Sequence, residues 1–187
     1  MKFNGVFHTG VALTIFSIIA VSTIAAVSTI APEAASKATS TDKIKIYSYE
    51  RKGTVKVNRV VKSDAEWQKI LTPEQFQVTR RGGTEHAFTG KYWDSHAKGI
   101  YRCVCCGTDL YSSDSKYDSG TGWPSFTALL AKENITQQVG RNALTGGSEI
   151  RCARCDAHLG HVFDDGPKPT GLRYCMNSAA LRFEPSK

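Results

Sequence analysis

The sequence predicts a mainly β domain with short N-terminal helices and a closed metal site, and three observations carry that expectation. Beyond residue 82 the chain is a series of short apolar runs, GIYRC (99–103), DLY (109–111), EIRC (149–152), LRYC (172–175) and ALRF (180–183), broken by Gly, Asp, Ser and Pro. Punctuation of this kind suits a sheet domain with long functional loops. Two Cys-x-x-Cys units, at 103 and 106 and at 152 and 155, have the spacing of metal-binding knuckles. Upstream of the sheet runs, two helix-start signatures follow one another within residues 63–75. A length of 187 residues with 41% hydrophobic and 22% charged residues fits one domain plus a tail. It excludes collagen-like, coiled-coil and polytopic membrane classes and disorder over most of the chain.

Residues 11–31 hold no charge, and Lys2 is the only charge before them. The run resembles a secretory signal but is longer than the usual apolar stretch of about 7–15 residues. At 21 residues it also reaches the span of a bilayer. A cleaved signal and an uncleaved anchor therefore both remain open, with PEAASKATS (32–40) offering small residues for a cut. A mitochondrial presequence fits poorly, because the first arginine is Arg51. Residues 1–40 are thus expected to direct export, to a periplasmic or secreted location, and 41–62 to form an N-terminal extension.

Within that extension Ile44 and Ile46, then Val55 and Val57, alternate with polar residues around an Arg51-Lys52-Gly53 turn, which predicts two short strands. Ser63 and Glu66 have capping-box spacing ahead of Trp67, Ile70 and Leu71. Thr72-Pro73-Glu74-Gln75 restarts a helix with proline at its first position.

The six cysteines divide into three groups. Cys103, Cys106, Cys152 and Cys155 supply a closed four-sulfur set, which suits one structural zinc ion and leaves no open position for substrate. The interval between knuckles exceeds that of a common zinc ribbon, so a subdomain must fold between them. The alternative is a disulfide framework, which an exported location favours. Crowding Cys103, Cys105 and Cys106 together is awkward for bridges and natural for a knuckle. Cys175 stands outside both knuckles, in Arg-Tyr-Cys-Met-Asn, after a loop that begins His158-Leu-Gly-His161. A lone cysteine is commonly an inert core residue. Histidine and arginine nearby point instead to a nucleophile whose thiol is activated by a cationic or hydrogen-bonding neighbour. With four ligands already supplied by the knuckles, at least one of His158 and His161 reads as a proton donor rather than a metal ligand, against the alternative of satisfied core histidines.

Five stretches, RGGTEHAFTGKYWD (81–94), YRCVCCGTDLYSS (101–113), KYDSGTGWPSF (116–126), RCARCDAHLGHVFDDGPKPTG (151–171) and LRYCMNSAALRF (172–183), resemble the B-type methionine sulfoxide reductases. This zinc-containing family reduces the R epimer of methionine sulfoxide. The resemblance covers roughly residues 63–185 and places the catalytic domain at 63–187. It implies two antiparallel sheets with the zinc away from the active site. It also implies a catalytic Cys175, active-site His158, His161 and Asn177, and a pocket tryptophan at Trp123, which otherwise reads as a core aromatic. Arg173 and Asp165 take supporting positions and Phe163 lines the pocket. The implied mechanism is attack by a Cys175 thiolate while an imidazolium, His161 with His158 in support, protonates the oxygen and leaves a sulfenic acid. The implied partners are oxidised proteins and a thioredoxin-like or other thiol reductant.

One position departs from that pattern. Where many members carry a resolving cysteine in D-S-G-C-G-W-P, this chain has Thr121, and no cysteine precedes Cys103. Cys105 is the only spare thiol, with its side chain expected to point away from the zinc sulfurs. Recycling by an external thiol is therefore expected over resolution through Cys105. The competing classes are a zinc-ribbon-like nucleic-acid module, a disulfide-stapled structural domain and a non-catalytic zinc fold. The net charge of +7 nominally suits the first, but the basic residues are scattered and no run exceeds two, so nucleic acid is not an expected partner. None of the three gives Cys175 and its histidines a task.

Overall fold

The structure is a computed structural model that describes residues 42–138 and 146–186. The apolar run at 11–31 lies outside the described residues. Among those described, no helix is long and apolar enough to cross a membrane.

The chain begins with a hairpin of β1 (Lys43–Ser48) and β2 (Gly53–Asn58), paired antiparallel through a turn in which Lys52 takes φ 48°. Both helix signatures fold as read. In α1 (Asp64–Gln68), Ser63 and Glu66 close a reciprocal capping box; in α2 (Pro73–Arg81), Thr72 and Gln75 do the same. Each box satisfies two backbone N–H groups that the first helical turn leaves free. Helix α2 ends at Gly82, whose left-handed φ of 70° suits a residue without Cβ.

The remaining strands are β3 (Gly99–Cys103), β4 (Asp109–Ser112), β5 (Lys116–Tyr117), β6 (Ser125–Phe126), β7 (Ile135–Gln138), β8 (Ser148–Cys152), β9 (His158–Phe163), β10 (Arg173–Met176) and β11 (Leu181–Pro185). They form a six-stranded sheet in the order β5-β6-β10-β9-β8-β7 and a three-stranded sheet in the order β11-β3-β4, with every registered pair antiparallel. The hairpin adds a third, two-stranded sheet beside these two. All five apolar runs fall on strands, save that Leu172 and Ala180 come just before β10 and β11.

The core lies where the two larger sheets meet. Tyr101 of β3 and Tyr111 of β4 are fully buried against Phe126 of β6, with ring centroids 5.1 Å apart edge-on and 4.3 Å apart stacked. Such pairs add directional preference to area burial. The Tyr111 hydroxyl donates to Met176 Sδ on β10 at 3.1 Å. The hairpin is held by buried Asn134, whose Oδ1 accepts from Tyr47 N at 2.7 Å while Nδ2 donates to the carbonyls of Tyr47 and Asp109 at 2.9 and 2.6 Å.

One expectation needs correction. His158-Leu-Gly-His161 does not open a loop; it is the first part of β9, at the centre of the six-stranded sheet. In a regular strand, residues three apart face opposite sides. Here Ile150 pairs with Gly160 and Arg151 with His158, so β9 carries one extra residue, Leu159, against β8. That bulge shifts the alternation by one and returns His158 and His161 to the same side, with ring centroids 5.3 Å apart. Gly160 permits it, because a Cβ there would collide with the Cys175 carbonyl and the Met176 backbone on β10. Gly160→Ala is therefore expected to cost about 1–3 kcal/mol through overpacking. A urea melt should show the lowered midpoint together with reduced activity, since the displaced backbone belongs to Cys175.

Candidate active site and metal centre

The two knuckles are built alike. In the first, Gly107 N donates to Cys103 O at 2.8 Å and Cys103 N to Thr108 O at 2.8 Å; in the second, Asp156 N donates to Cys152 O and Cys152 N to Ala157 O, both at 2.9 Å. Both turns pass through a left-handed residue just after the second cysteine, Gly107 at φ 75° and Asp156 at φ 57°. Glycine adopts this freely; Asp156 is held there by its carboxylate, which Arg151 Nε and Nη2 grip at 2.9 and 3.0 Å.

The four sulfurs of Cys103, Cys106, Cys152 and Cys155 all lie within 4.8 Å of one another, with Cys103–Cys155 at 3.6 Å and Cys106–Cys152 at 3.5 Å. Tetrahedral Zn–S bonds of about 2.3 Å place sulfurs about 3.8 Å apart, so the set fits a closed four-coordinate metal ion. Separations near 3.5 Å are also well beyond a disulfide bond of about 2.05 Å. Cys105 behaves differently from expectation. Its thiol does not point away from the knuckle sulfurs but lies beside Cys103 and Cys155, with Thr79 and Arg80 around it.

A second site lies on the six-stranded sheet. Cross-strand register aligns Ser125 of β6, Cys175 of β10, His161 of β9 and Glu149 of β8 in one row. Residues in register on adjacent strands project to the same face, about 4.5–5.5 Å apart at Cβ. The row thus places a thiol between a hydroxyl and an imidazole, with a carboxylate beyond. A cavity of about 180 Å³ opens over Cys175 and His161, lined also by Thr84, Trp123, Gly160, Phe163, Met176 and Asn177. Most of that lining is apolar.

Burial pushes the Cys175 thiol above its usual value, opposed by Arg173 and by hydrogen bonds from Thr121 and Ser125. Burial likewise pulls His161 below the usual imidazole value; His158 adds to that and Glu149 opposes it. Thr121, in the place of a resolving cysteine, has its hydroxyl 4.0 Å from Cys175 Sγ and 2.8 Å from the Ser119 hydroxyl, which is itself 2.8 Å from Ser125.

The other residues singled out in the sequence surround this row. Arg173 holds Asp165 through two bonds, at 2.8 and 2.7 Å, and its guanidinium lies 4.3 Å from the centre of the Phe163 ring. Trp123 lines the cavity half-buried, its Nε1 donating to Glu85 O at 3.1 Å. Asn177 is buried; its Oδ1 accepts from Glu85 N at 3.0 Å and its Nδ2 donates to Leu159 O at 3.2 Å. Its amide therefore braces the backbone at the bulge. His158 is buried, with Nδ1 2.7 Å from Glu149 Oε1.

Two carboxylates escaped the sequence reading. Buried Glu85 accepts from Ser178 N and Ala179 N at 2.6 and 2.8 Å, tying the Trp123 and Asn177 anchor to the turn after β10. Glu149 looked like a polar position in an apolar run. Capping-box reasoning finds only local carboxylates; these two act across 93 and 9 residues.

A thiol beside an imidazole under an apolar pocket, apart from a four-cysteine cluster that could hold a metal ion, fits the class of oxidoreductases. Comparison with known proteins gives the family. The SelR domain matches residues 71–185. A peptide methionine sulfoxide reductase MsrB of Hahella chejuensis is 58% identical over 127 residues, 68% of this chain and 91% of that protein. Proteins of the same name from Herminiimonas arsenicoxydans and Acinetobacter baumannii are 54% identical over 126 residues and 53% over 131. Those alignments take in 67% and 68% of this chain and 92% of each relative. The chain belongs to the SelR-domain, B-type methionine sulfoxide reductase family of oxidoreductases.

Proposed function

We propose that this protein reduces the R epimer of peptide-bound methionine sulfoxide to methionine, with Cys175 as the sulfur that takes the oxygen. The observation that carries the assignment of roles is the Ser125–Cys175–His161–Glu149 row beneath the apolar cavity. The sulfoxide methyl group sits against Trp123 and Phe163, and the oxygen faces His161. Burial favours the neutral thiol and the neutral imidazole in the resting site, in place of the preformed thiolate and imidazolium that the sequence reading assumed. The proton count is the same. The thiol proton passes to His161 as Sγ attacks the sulfoxide sulfur, and His161 hands it to the oxygen. Collapse of the adduct breaks both the Sγ–sulfur bond just formed and the substrate's sulfur–oxygen bond as the oxygen moves to Sγ, so that thiol plus sulfoxide become sulfenic acid plus thioether.

Two external thiols then return Cys175 to the thiol, yielding one disulfide and water. The neighbours of Cys105 are Cys103, Cys155, Thr79 and Arg80; those of Cys175 are Thr121, Ser125 and Arg173. Cys105 lies within the first knuckle, whereas Cys175 lies on β10 under a cavity that no knuckle residue lines, and this placement favours the external reductant. The four-sulfur cluster holds zinc as a structural ion. The uncharged run at 11–31 supports export, as a cleaved signal or an anchor, so that the substrates are oxidised proteins outside the cytoplasm and the thiol carrier, thioredoxin-like in chemistry, must deliver electrons there.

Assay against separated epimers of a peptide sulfoxide tests the reading directly. Turnover is expected on the R epimer alone, with no enzyme thiol beyond Cys175 consumed in a single turnover. Equal turnover of both epimers, or a Cys105–Cys175 crosslinked peptide, contradicts it.

A further inference from the structure

His158 is buried, yet within the described protein only one of its ring nitrogens has a partner. Nδ1 meets Glu149 Oε1 at 2.7 Å, whereas Nε2 is buried with none. A carboxylate only accepts, so Nδ1 carries the hydrogen and a neutral His158 presents a lone pair at Nε2. The carboxylate is itself fixed. Arg151 Nη1 donates to Glu149 Oε1 at 3.1 Å, and Arg151 is in turn gripped by Asp156 in the second knuckle. Glu149 also stands opposite His161 in register, so a single side chain on β8 adjoins both histidines. Both line a second cavity of about 330 Å³, whose other walls are Arg80, Arg81, Gly82, Glu149 and Arg151.

We propose that Glu149 is a positioning residue of the reductase site, fixing the tautomer and orientation of His158 and, through that ring and its own charge, the proton affinity of His161. The proposal rests on the reading that His161 moves the proton. With Nδ1–H committed to Glu149, His158 keeps a buried lone pair at Nε2 on a ring 5.3 Å from that of His161, and a neutral ring there favours a proton carried by its neighbour. Without the carboxylate, His158 is free to exchange tautomers, and a proton on it repels one on His161.

The charged groups facing the pair come from several elements. Arg80 and Arg81 lie on α2, with Arg81 paired to Asp64 at 2.6 Å. Arg151 lies on β8, and Cys175 and Arg173 on β10. Among the described residues lining the second cavity, Glu149 is the sole negative group, so its loss leaves the histidines facing guanidinium groups.

The experiment compares Glu149→Gln, which still accepts from Nδ1–H but lacks the charge, with Glu149→Ala, which lacks both, and Glu149→Asp, which restores the charge. Steady-state kinetics on the peptide sulfoxide are read across pH, with nitrogen-15 NMR of the histidine rings and metal content alongside. E149Q is expected to keep its fold and metal. Its kcat should fall by about 10-fold with KM little changed, the scale of losing an outer hydrogen-bonding partner, and its acid limb should move to lower pH. E149A should fall further and show mixed tautomers at His158, while E149D recovers the acid limb in part. If E149Q folds poorly, E149D against E149A carries the same comparison. An E149Q enzyme with wild-type kcat and acid limb, or an E149A enzyme with an unchanged His158 tautomer, overturns the proposal. Inactivity of Cys175→Ser alongside a wild-type E149Q leaves the thiol chemistry standing and removes only the role of Glu149.

Discussion

Cys175→Ser is expected to abolish reduction of the peptide sulfoxide, lowering kcat by on the order of 10³-fold or more, the scale on which removing a nucleophile acts. The loss follows from redox chemistry more than from nucleophilicity. Oxygen leaving the substrate must land on an atom able to raise its oxidation state; sulfur forms a sulfenic acid, while a serine oxygen would have to become a peroxide. The variant should keep one metal ion per chain and a near wild-type melting temperature, because Cys175 is outside the four-sulfur cluster and serine is smaller by little. The wild-type pH profile tests the same site. If the reactive form is the neutral thiol with the neutral imidazole, kcat/KM falls at low pH, where a protonated His161 cannot receive the thiol proton. It falls again at high pH, where no proton remains for the oxygen. Burial pulls His161 below its ordinary 6.5 and pushes Cys175 above its ordinary 9.0, so the plateau should be wider on both sides than those values allow. A plateau narrower than that interval, or a serine variant that still turns over, contradicts the assignment.

What was legible in the sequence was local. Ser63 with Glu66 and Thr72 with Gln75 announce helix starts because their bonds span three residues, and Gly82 stops α2 by its own conformation. The knuckles were legible because metal ligation restricts spacing at short range. The row of side chains under the cavity was not, since it depends on which strands pair and in what register. His158-Leu-Gly-His161 reads as a loop, with glycine and two polar residues in four, until the bulge at Leu159 is known. Sequence spacing then misleads: three residues apart on a regular strand would separate the two rings that the bulge unites. Glu149, Glu85 and Asn134 were missed for one reason. Each is a buried or half-buried polar group whose partner lies on another element, and only the folded pairing shows that it is satisfied.

Removing the metal is the other large effect expected. Cys103 ends β3 of the three-stranded sheet and Cys152 ends β8 of the six-stranded sheet, so one ion bound by both knuckles staples the two sheets together at the edge of the shared core. Arg154, inside the second knuckle, donates to Cys106 O at 3.3 Å and accepts at its carbonyl from Val60 N at 2.9 Å, drawing the N-terminal extension into the same junction. Structural zinc contributes on the order of 10 kcal/mol to small domains that depend on it. Here a packed core remains without it, so a loss of about 5 kcal/mol is expected, which lowers the melting temperature by about 10–20 °C. Calorimetry of Cys152→Ser, and of wild-type protein stripped by a strong chelator under reducing conditions, should show that shift with metal content falling to zero in parallel. Activity should fail only as the sheets part, because no metal ligand touches the pocket over Cys175. Metal-free protein that melts at the holoenzyme temperature would deny the staple. Immediate loss of turnover at a temperature where the stripped protein is still folded would deny the separation of the two sites.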